Sequence, residues 1–230
     1  SSSAASDVYK RQDYSLEYKI LPWGHDKISC PDGLSPVARR INSHYDELGW
    51  WWFDYLAEFM GDSMQIAPLL RCPSRNITES DYTNNLVWGN YGVNQSLCTR
   101  CGFIQGRSEF TLRQPMRWPM SNPAATMLVM DSGYAVINWW HATVSPPGQF
   151  YEDRLEDKTY IPGLRVVNEI KLKLLYSSLV NDAINGRHNN GRVNVCFADG
   201  HVECLTAEDL EVVKQGEQYQ KRTPFWSPDR

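Results

Sequence analysis

No run of about eighteen apolar residues occurs in the chain, so nothing in it reads as a membrane-spanning helix. The five histidines, at positions 25, 44, 141, 188 and 201, include no pair at the i, i+4 spacing of a helical zinc protease motif. Cys98 and Cys101 form a C-x-x-C, but a second such pair, which a four-cysteine zinc site needs, is missing. Basic residues gather in no stripe and the net charge is −4, opposite in sign to a nucleic-acid footprint. A nucleophile, a base and an orienting group at recognisable spacing are also lacking. Accordingly no catalytic residue, cofactor, resident metal or nucleic-acid partner is assigned.

What is present describes a globular chain: of 230 residues, 42% are hydrophobic and nine are tryptophan, enough for one sizeable core. Residues 2–12, SSAASDVYKRQ, are the in-frame translation of a transposon-based sequencing adapter, and no initiator methionine precedes them. Residues 1–12 are therefore read as a non-native segment on a truncated metagenomic fragment, and 13–230 as a single domain. Removing Asp7, Lys10 and Arg11, together +1, leaves the genuine part at −5.

Along the chain, residues 13–46 are polar and turn-rich. WWWFDYLAEFM (50–60) suits an amphipathic helix with Trp52, Tyr55, Leu56 and Phe59 inward, stopped at Gly61. Pro68 and Pro73 bracket an extended LLRC, a short strand falls within LVWGNYGV (86–93), and Thr126–Met130 is an apolar run before Asp131-Ser132-Gly133, read as a turn. Residues 139–163 read as a surface excursion. Asn168–Ile184 has helical period and ends at Asn185-Gly186, and Thr206 with Asp209 sets a capping box for a last short helix.

Val193, Val195 and Phe197 alternate with Asn194, Cys196 and Ala198, the pattern of a half-buried strand. Asp199-Gly200 supplies a two-residue type I′ turn, and His201–Leu205 returns. That register pairs Ala198 with His201 and Val195 with Cys204, placing Val193, Val195, Phe197 and Val202 on the apolar face and Cys196 and Cys204 on opposite faces. His188 lies about 20 Å from Asp199 along such a strand, so Asp199 reads as a turn former and His188 as a loop residue bonded to nearby backbone.

RCPSR (71–75), NYGVN (90–94), NPAATMLVMDS (122–132), RHNNGRVNVCFADGHVE (187–203) and PFWSPD (224–229), in that order, resemble the prepilin-type proteins that carry an H-X9-DG motif. The likeness spans roughly residues 48–229 and implies an α+β fold: a pilin-like C-terminal domain with an antiparallel sheet and flanking helices, its N-terminal pilin helix absent here. His188, Asn194, Phe197, Asp199, Gly200 and His201 are the structural motif residues that it marks. Ten residues rather than nine separate His188 from Asp199-Gly200, and the extra one is placed in the Asn189–Arg192 loop.

The resemblance implies a non-catalytic, pseudopilin-like structural subunit or membrane-anchored envelope domain of type II secretion or type IV pilin-like systems. Its partners would be other pseudopilin-like subunits and, through the missing helix, the inner membrane. The domain would lie in the periplasm or outside the cell. The alternative is a secreted module binding a surface polysaccharide or other surface ligand through residues 139–163. Cys98 and Cys101 are a candidate local disulfide or metal pair. Asp199-Gly-His201 and Gly89-Asn90 have the reverse order of the metallophosphoesterase blocks and lack the GDxxD between them. Finally, if the anchor helix packs on the sheet, an apolar groove should be open beside Val193, Val195, Phe197 and Val202.

Overall fold

The computed structural model describes residues 21, 25–26, 50–60, 68–76, 78, 86–98, 119–145, 159–164, 177–188 and 191–228. In chain order the elements are β1 (His25–Asp26), β2 (Trp50–Trp51), helix α1 (Trp52–Met60), β3 (Tyr91–Asn94), β4 (Met127–Asp131), β5 (Val136–Ile137), helix α2 (Ser177–Asn185), β6 (Arg192–Phe197), β7 (Val202–Thr206), β8 (Val213–Gln215) and β9 (Gln218–Gln220). β1 pairs with β2, β8 with β9, and the remaining strands form one sheet in the order β5-β3-β4-β6-β7. The fold is α+β.

That sheet is mixed rather than antiparallel, which corrects the sequence expectation. β3 runs antiparallel to β4 but parallel to β5. After β4 the chain turns at Ser132 and Gly133, passes across β3 and runs down its far side. The crossing is close: a Cβ on Gly92 would stand 2.7 Å from both Ser132 Cβ and the Tyr134 carbonyl oxygen, so only glycine fits under it. A two-residue strand such as Val136–Ile137 carries too little pattern to announce itself in sequence.

β4 is buried on both faces and carries a bulge. Met127 sits opposite Phe197, Val129 opposite Cys196 and Met130 opposite Val195, leaving Leu128 as the extra residue. Val129, Cys196, Ala198 and Val93 therefore face one core, covered by Trp52, Phe53, Tyr55 and Leu56 around α1. Met127, Met130, Val193, Val195 and Phe197 face a second, filled by Trp139, Trp140, Ile161, Leu164, Val212 and Trp226. The open groove expected beside Val193, Val195 and Phe197 is absent: their exposures are 0%, 0% and 5%, and Val202 lies partly buried on the opposite face. An anchor helix has no room on that face.

The hairpin falls where expected, one residue out of register. β6 and β7 pair Val193 with Leu205, Asn194 with Cys204, Val195 with Glu203 and Cys196 with Val202. Gly200 N–H donates to the Phe197 carbonyl (3.0 Å) and Phe197 N–H to the His201 carbonyl (3.0 Å), so the loop is Ala198-Asp199-Gly200. Only Gly200, at φ 102°, takes positive φ there, as in three-residue hairpins. The slip moves every β7 side chain to the other face. Cys196 and Cys204 thus share a face as diagonal neighbours, about 7 Å apart in such a lattice, and no disulfide joins them. His201 goes to the Phe197 face, where the two rings stack at 4.2 Å.

Smaller expectations divide the same way. The helix at 50–60 forms, but Trp50 and Trp51 are strand, and Asp54 accepts the Trp51 N–H at 2.8 Å to start the helix. Pro68 and Leu69 are helical and Arg71 N–H closes on the Pro68 carbonyl (3.3 Å), so the segment does not run extended there. The 139–163 excursion is buried at both described ends, through Trp139, Trp140, Ala142, Tyr160 and Ile161. The capping box joins Thr206 and Asp209, and Gly186, at φ 72°, ends α2. Of the proposed Asn168–Ile184 helix, residues 168–176 lie outside the described residues. So does the placement of an extra residue at Asn189 or Asn190.

Two predictions follow from these contacts. Gly92→Ala should destabilise the domain by about 1–3 kcal/mol or more, because one of the two atoms in the way is backbone; urea unfolding measures it. His141 closes the short 3-10 turn Trp139–Ala142, its Nδ1 3.2 Å from the Asn138 N–H nitrogen. Burial pushes the ring down to about 4, against 6.5 when exposed. The unfolded chain therefore binds the extra proton first, and His141's contribution is full above about pH 6.5 and lost as pH falls toward about 4. The slope is at most about 1.4 kcal/mol per pH unit. Unfolding midpoints across that range should flatten in His141→Gln by up to this amount.

Candidate functional site

Four of the five sequence motifs meet at one end of the central strands. Cys72 comes from the turn at RCPSR, Asn90 from the approach to β3, Asp131 from the end of β4, and Arg187, His188 and Asn194 from the segment running through β6. The loop delivering Arg187 and His188 is shaped by glycine: a Cβ on Gly186 would lie 2.7 Å from Gly191 Cα. Gly191 and Arg192 both donate their N–H to the His188 carbonyl, at 3.0 and 3.2 Å.

Arg187 is the hub. Its side chain is 0% exposed and its partner Asp182, on α2, 2%. Nε donates to both Asp182 oxygens at 2.8 and 2.9 Å, and one terminal nitrogen to Asp182 Oδ2 at 2.7 Å. The terminal nitrogens also donate to the carbonyls of Asn90 (2.7 Å) and Ser132 (2.9 Å). Tyr160 completes the cluster, its hydroxyl donating to Asp182 at 2.6 Å. Burial works against the charged guanidinium; the Asp182 carboxylate outweighs it and holds Arg187 well above its ordinary range. Burial, with the same carboxylate, pushes the Tyr160 phenol up and keeps it neutral.

Beside this pair lies a second group of polar side chains. Asp131 is fully buried, and its Oδ2 accepts the Asn194 N–H at 2.7 Å and stands 3.1 Å from His188 Nε2. His188 Nε2 is also 3.0 Å from the Asn194 amide nitrogen and 3.7 Å from Cys72 Sγ. Cys72 is fixed by its own N–H on Asn90 Oδ1 at 3.2 Å. Asn90 in turn donates to the carbonyls of Leu86 and Trp88, at 3.2 and 2.9 Å. Burial first, and the Asp131 charge second, raise the Cys72 thiol to about 11, so no thiolate nucleophile stands ready.

A cysteine, a histidine and an aspartate invite comparison with a catalytic triad, and the geometry rejects it. A relay needs the acid on one ring nitrogen and the nucleophile on the other. Here both Cys72 and Asp131 address Nε2. The three ligand-capable atoms, Sγ, Oδ and Nε2, instead all lie within 4.8 Å of one another.

Of the residues marked from sequence, His188 and Asn194 belong to this cluster, His188 through its ring rather than through nearby backbone alone. Phe197 is core. Asp199, Gly200 and His201 form the hairpin tip at the far end of β6. There Asp199 Oδ1 meets His201 Nδ1 at 2.6 Å, both side chains about a third exposed. Slight burial works against the Asp199 charge, but hydrogen bonds from His201 prevail and hold its carboxyl below the ordinary value. Cys98 is buried in the first core, and Cys101 lies outside the described residues. Sequence reasoning missed Cys72, Arg187 and Asp182. It also read Asp131 as a turn former, whereas Ser132 does that work, its Oγ accepting the Tyr134 N–H at 3.2 Å.

Set against family models, curated proteins and solved structures, the chain matches none of them.

Removing Arg187 strands the Asp182 carboxylate in the interior. Arg187→Ala should cost about 3–5 kcal/mol, read from urea unfolding. Arg187→Lys should restore only part of it, since one ammonium cannot span Asp182 and two carbonyls.

Proposed function

We propose that this domain is the globular part of a non-catalytic, pseudopilin-like structural subunit or membrane-anchored envelope protein of a type II secretion or type IV pilin-like system. The observation that carries the reading is where the motif residues spend their hydrogen bonds. Asn94 donates to the carbonyls of Met127 (2.8 Å) and Trp226 (2.9 Å). Met127 N–H reaches the Phe225 carbonyl at 2.8 Å, and Ala198 N–H the Thr126 carbonyl at 2.9 Å. With Asn90, Arg187 and Asn194, these tie all five motif segments to one another. Polar residues spent on mutual anchoring suit a scaffold better than a hydrolase, whose polar groups must face a substrate.

Among the described residues, no helix is long and apolar enough to cross a membrane. Under this reading an anchor is supplied from upstream and joins the domain away from the Val193–Phe197 face, which is filled. The polysaccharide-binding alternative rested on an exposed 139–163 segment, whose described ends are buried.

The test is the gene with its native upstream sequence, expressed alongside a prepilin peptidase. A shortened, membrane-retained product that cross-links to other pseudopilin-like subunits is the expected result. Release as a free protein after ordinary signal-peptide cleavage, with no such cross-links, would overturn the proposal.

A further inference from the structure

We propose that Cys72, Asp131 and His188 bind a divalent transition-metal ion of the zinc class, tying the RCPSR turn, the end of β4 and the loop before β6 together.

The first support is geometric. In a tetrahedral zinc site, with Zn–S about 2.3 Å and Zn–N or Zn–O about 2.0 Å, ligand atoms stand about 3.3–3.6 Å apart. Here Nε2 and Oδ2 are 3.1 Å apart and Nε2 and Sγ 3.7 Å, with all three ligand atoms inside 4.8 Å. Small shifts of side chains already converging on one point would complete the site. Thiolate, imidazole and carboxylate are also zinc's own ligand types.

The second support is independent of spacing. Asp131 Oδ1 is buried and accepts no hydrogen bond, although the residue is 0% exposed. A carboxylate withdrawn from water requires a positive partner. The nearby guanidinium is committed to Asp182, and the His188 ring meets the carboxylate at Oδ2, which leaves Oδ1 unmatched. A dication held by one thiolate, one carboxylate and a neutral imidazole leaves the site without net charge. Loading would release the Cys72 thiol proton to solvent as the metal–sulfur bond forms. The His188 side chain, 19% exposed, gives the ion its path and leaves a fourth position for water. Backbone and amide contacts already orient two of the ligands, Asn194 N–H on Asp131 and Asn90 on the Cys72 N–H.

The experiment uses the whole chain, loaded with Zn2+ or Co2+ and dialysed. About one equivalent of zinc per chain should be retained, and the cobalt form should show thiolate-to-metal charge-transfer absorption. Cys72→Ser should abolish that absorption, and His188→Ala should lose the metal. Asp199→Ala and His201→Ala, at the hairpin tip, should keep it. Should a ligand variant fail to fold, the wild-type chain still decides: zinc should slow alkylation of Cys72 several-fold while leaving the exposed Cys204 unprotected. No retained metal in a cooperatively folded chain, unchanged absorption in Cys72→Ser, loss of metal in His201→Ala, or Cys72 alkylation indifferent to zinc would each overturn the proposal. None of these outcomes bears on whether the domain is pseudopilin-like.

Discussion

A guanidinium with no exposure to water has to place each of its donors, and Arg187 places them on three parts of the chain that are far apart in sequence. Asp182 belongs to α2, the Asn90 carbonyl to the approach to β3, and the Ser132 carbonyl to the turn after β4. Replacing such a buried pair by well-packed apolar groups can be neutral in net free energy. What the pair controls is which arrangement is allowed: α2 docked a turn away, or the β4 turn displaced, would leave charges buried without partners. Since His188 follows Arg187 directly, fixing the guanidinium also fixes the ring beside Asp131.

The sheet shows how a small domain uses both faces of the same strands. A regular β4 would send Met127, Val129 and Asp131 to one side and Leu128 and Met130 to the other. The bulge at Leu128 breaks that alternation, so Met127 and Met130 join the Trp139 and Trp226 core while Val129 joins the α1 core. Asp131, next after Met130, then falls on the α1 side, where Cys72 packs. The regular pairing past the bulge, Met130 opposite Val195, turns the carboxylate toward the sulfur and the imidazole. Gly92 contributes at the next strand by letting the Ser132–Ala135 crossing lie flat on β3, which keeps the Ser132 carbonyl within reach of Arg187.

Local signals were legible in sequence and non-local ones were not. The Val193–Phe197 alternation, the Gly186 helix stop and the Thr206–Asp209 capping box each depend on residues a few positions apart, and each stands where the pattern put it. The hairpin register did not follow, because Ala198 suits the last strand position and the first loop position equally well. That one ambiguity reversed the faces of Cys204, Val202 and His201. Parallel pairing of β3 with β5 has no pattern in two residues. The Cys72–Asp131–His188 cluster was least visible of all, with Cys72 and His188 separated by 116 positions. Arg187 beside a turn reads as a solvated residue until Asp182 and Tyr160 are placed around it.

The spacing between His188 and Asp199-Gly200 acquires a different meaning from this arrangement. A fixed separation between a histidine and an Asp-Gly suggests that the two meet, yet here they sit at opposite ends of β6. The separation has two independent parts. One is the loop that folds back so that His188 pairs with Arg192 and takes the Gly191 and Arg192 N–H groups on its carbonyl. The other is the strand itself and its hairpin turn, whose length is set by β4 on one side and β7 on the other. His188 is positioned by Asp131 and Asn194, not by anything at the hairpin tip. A residue added within the loop therefore lengthens the spacing without moving either end, whereas one added within β6 would shift Asn194 off Asp131 and turn every core side chain of the strand to the wrong face. The ten residues between His188 and Asp199 thus divide between that loop and the strand, whose alternation from Val193 to Phe197 is intact.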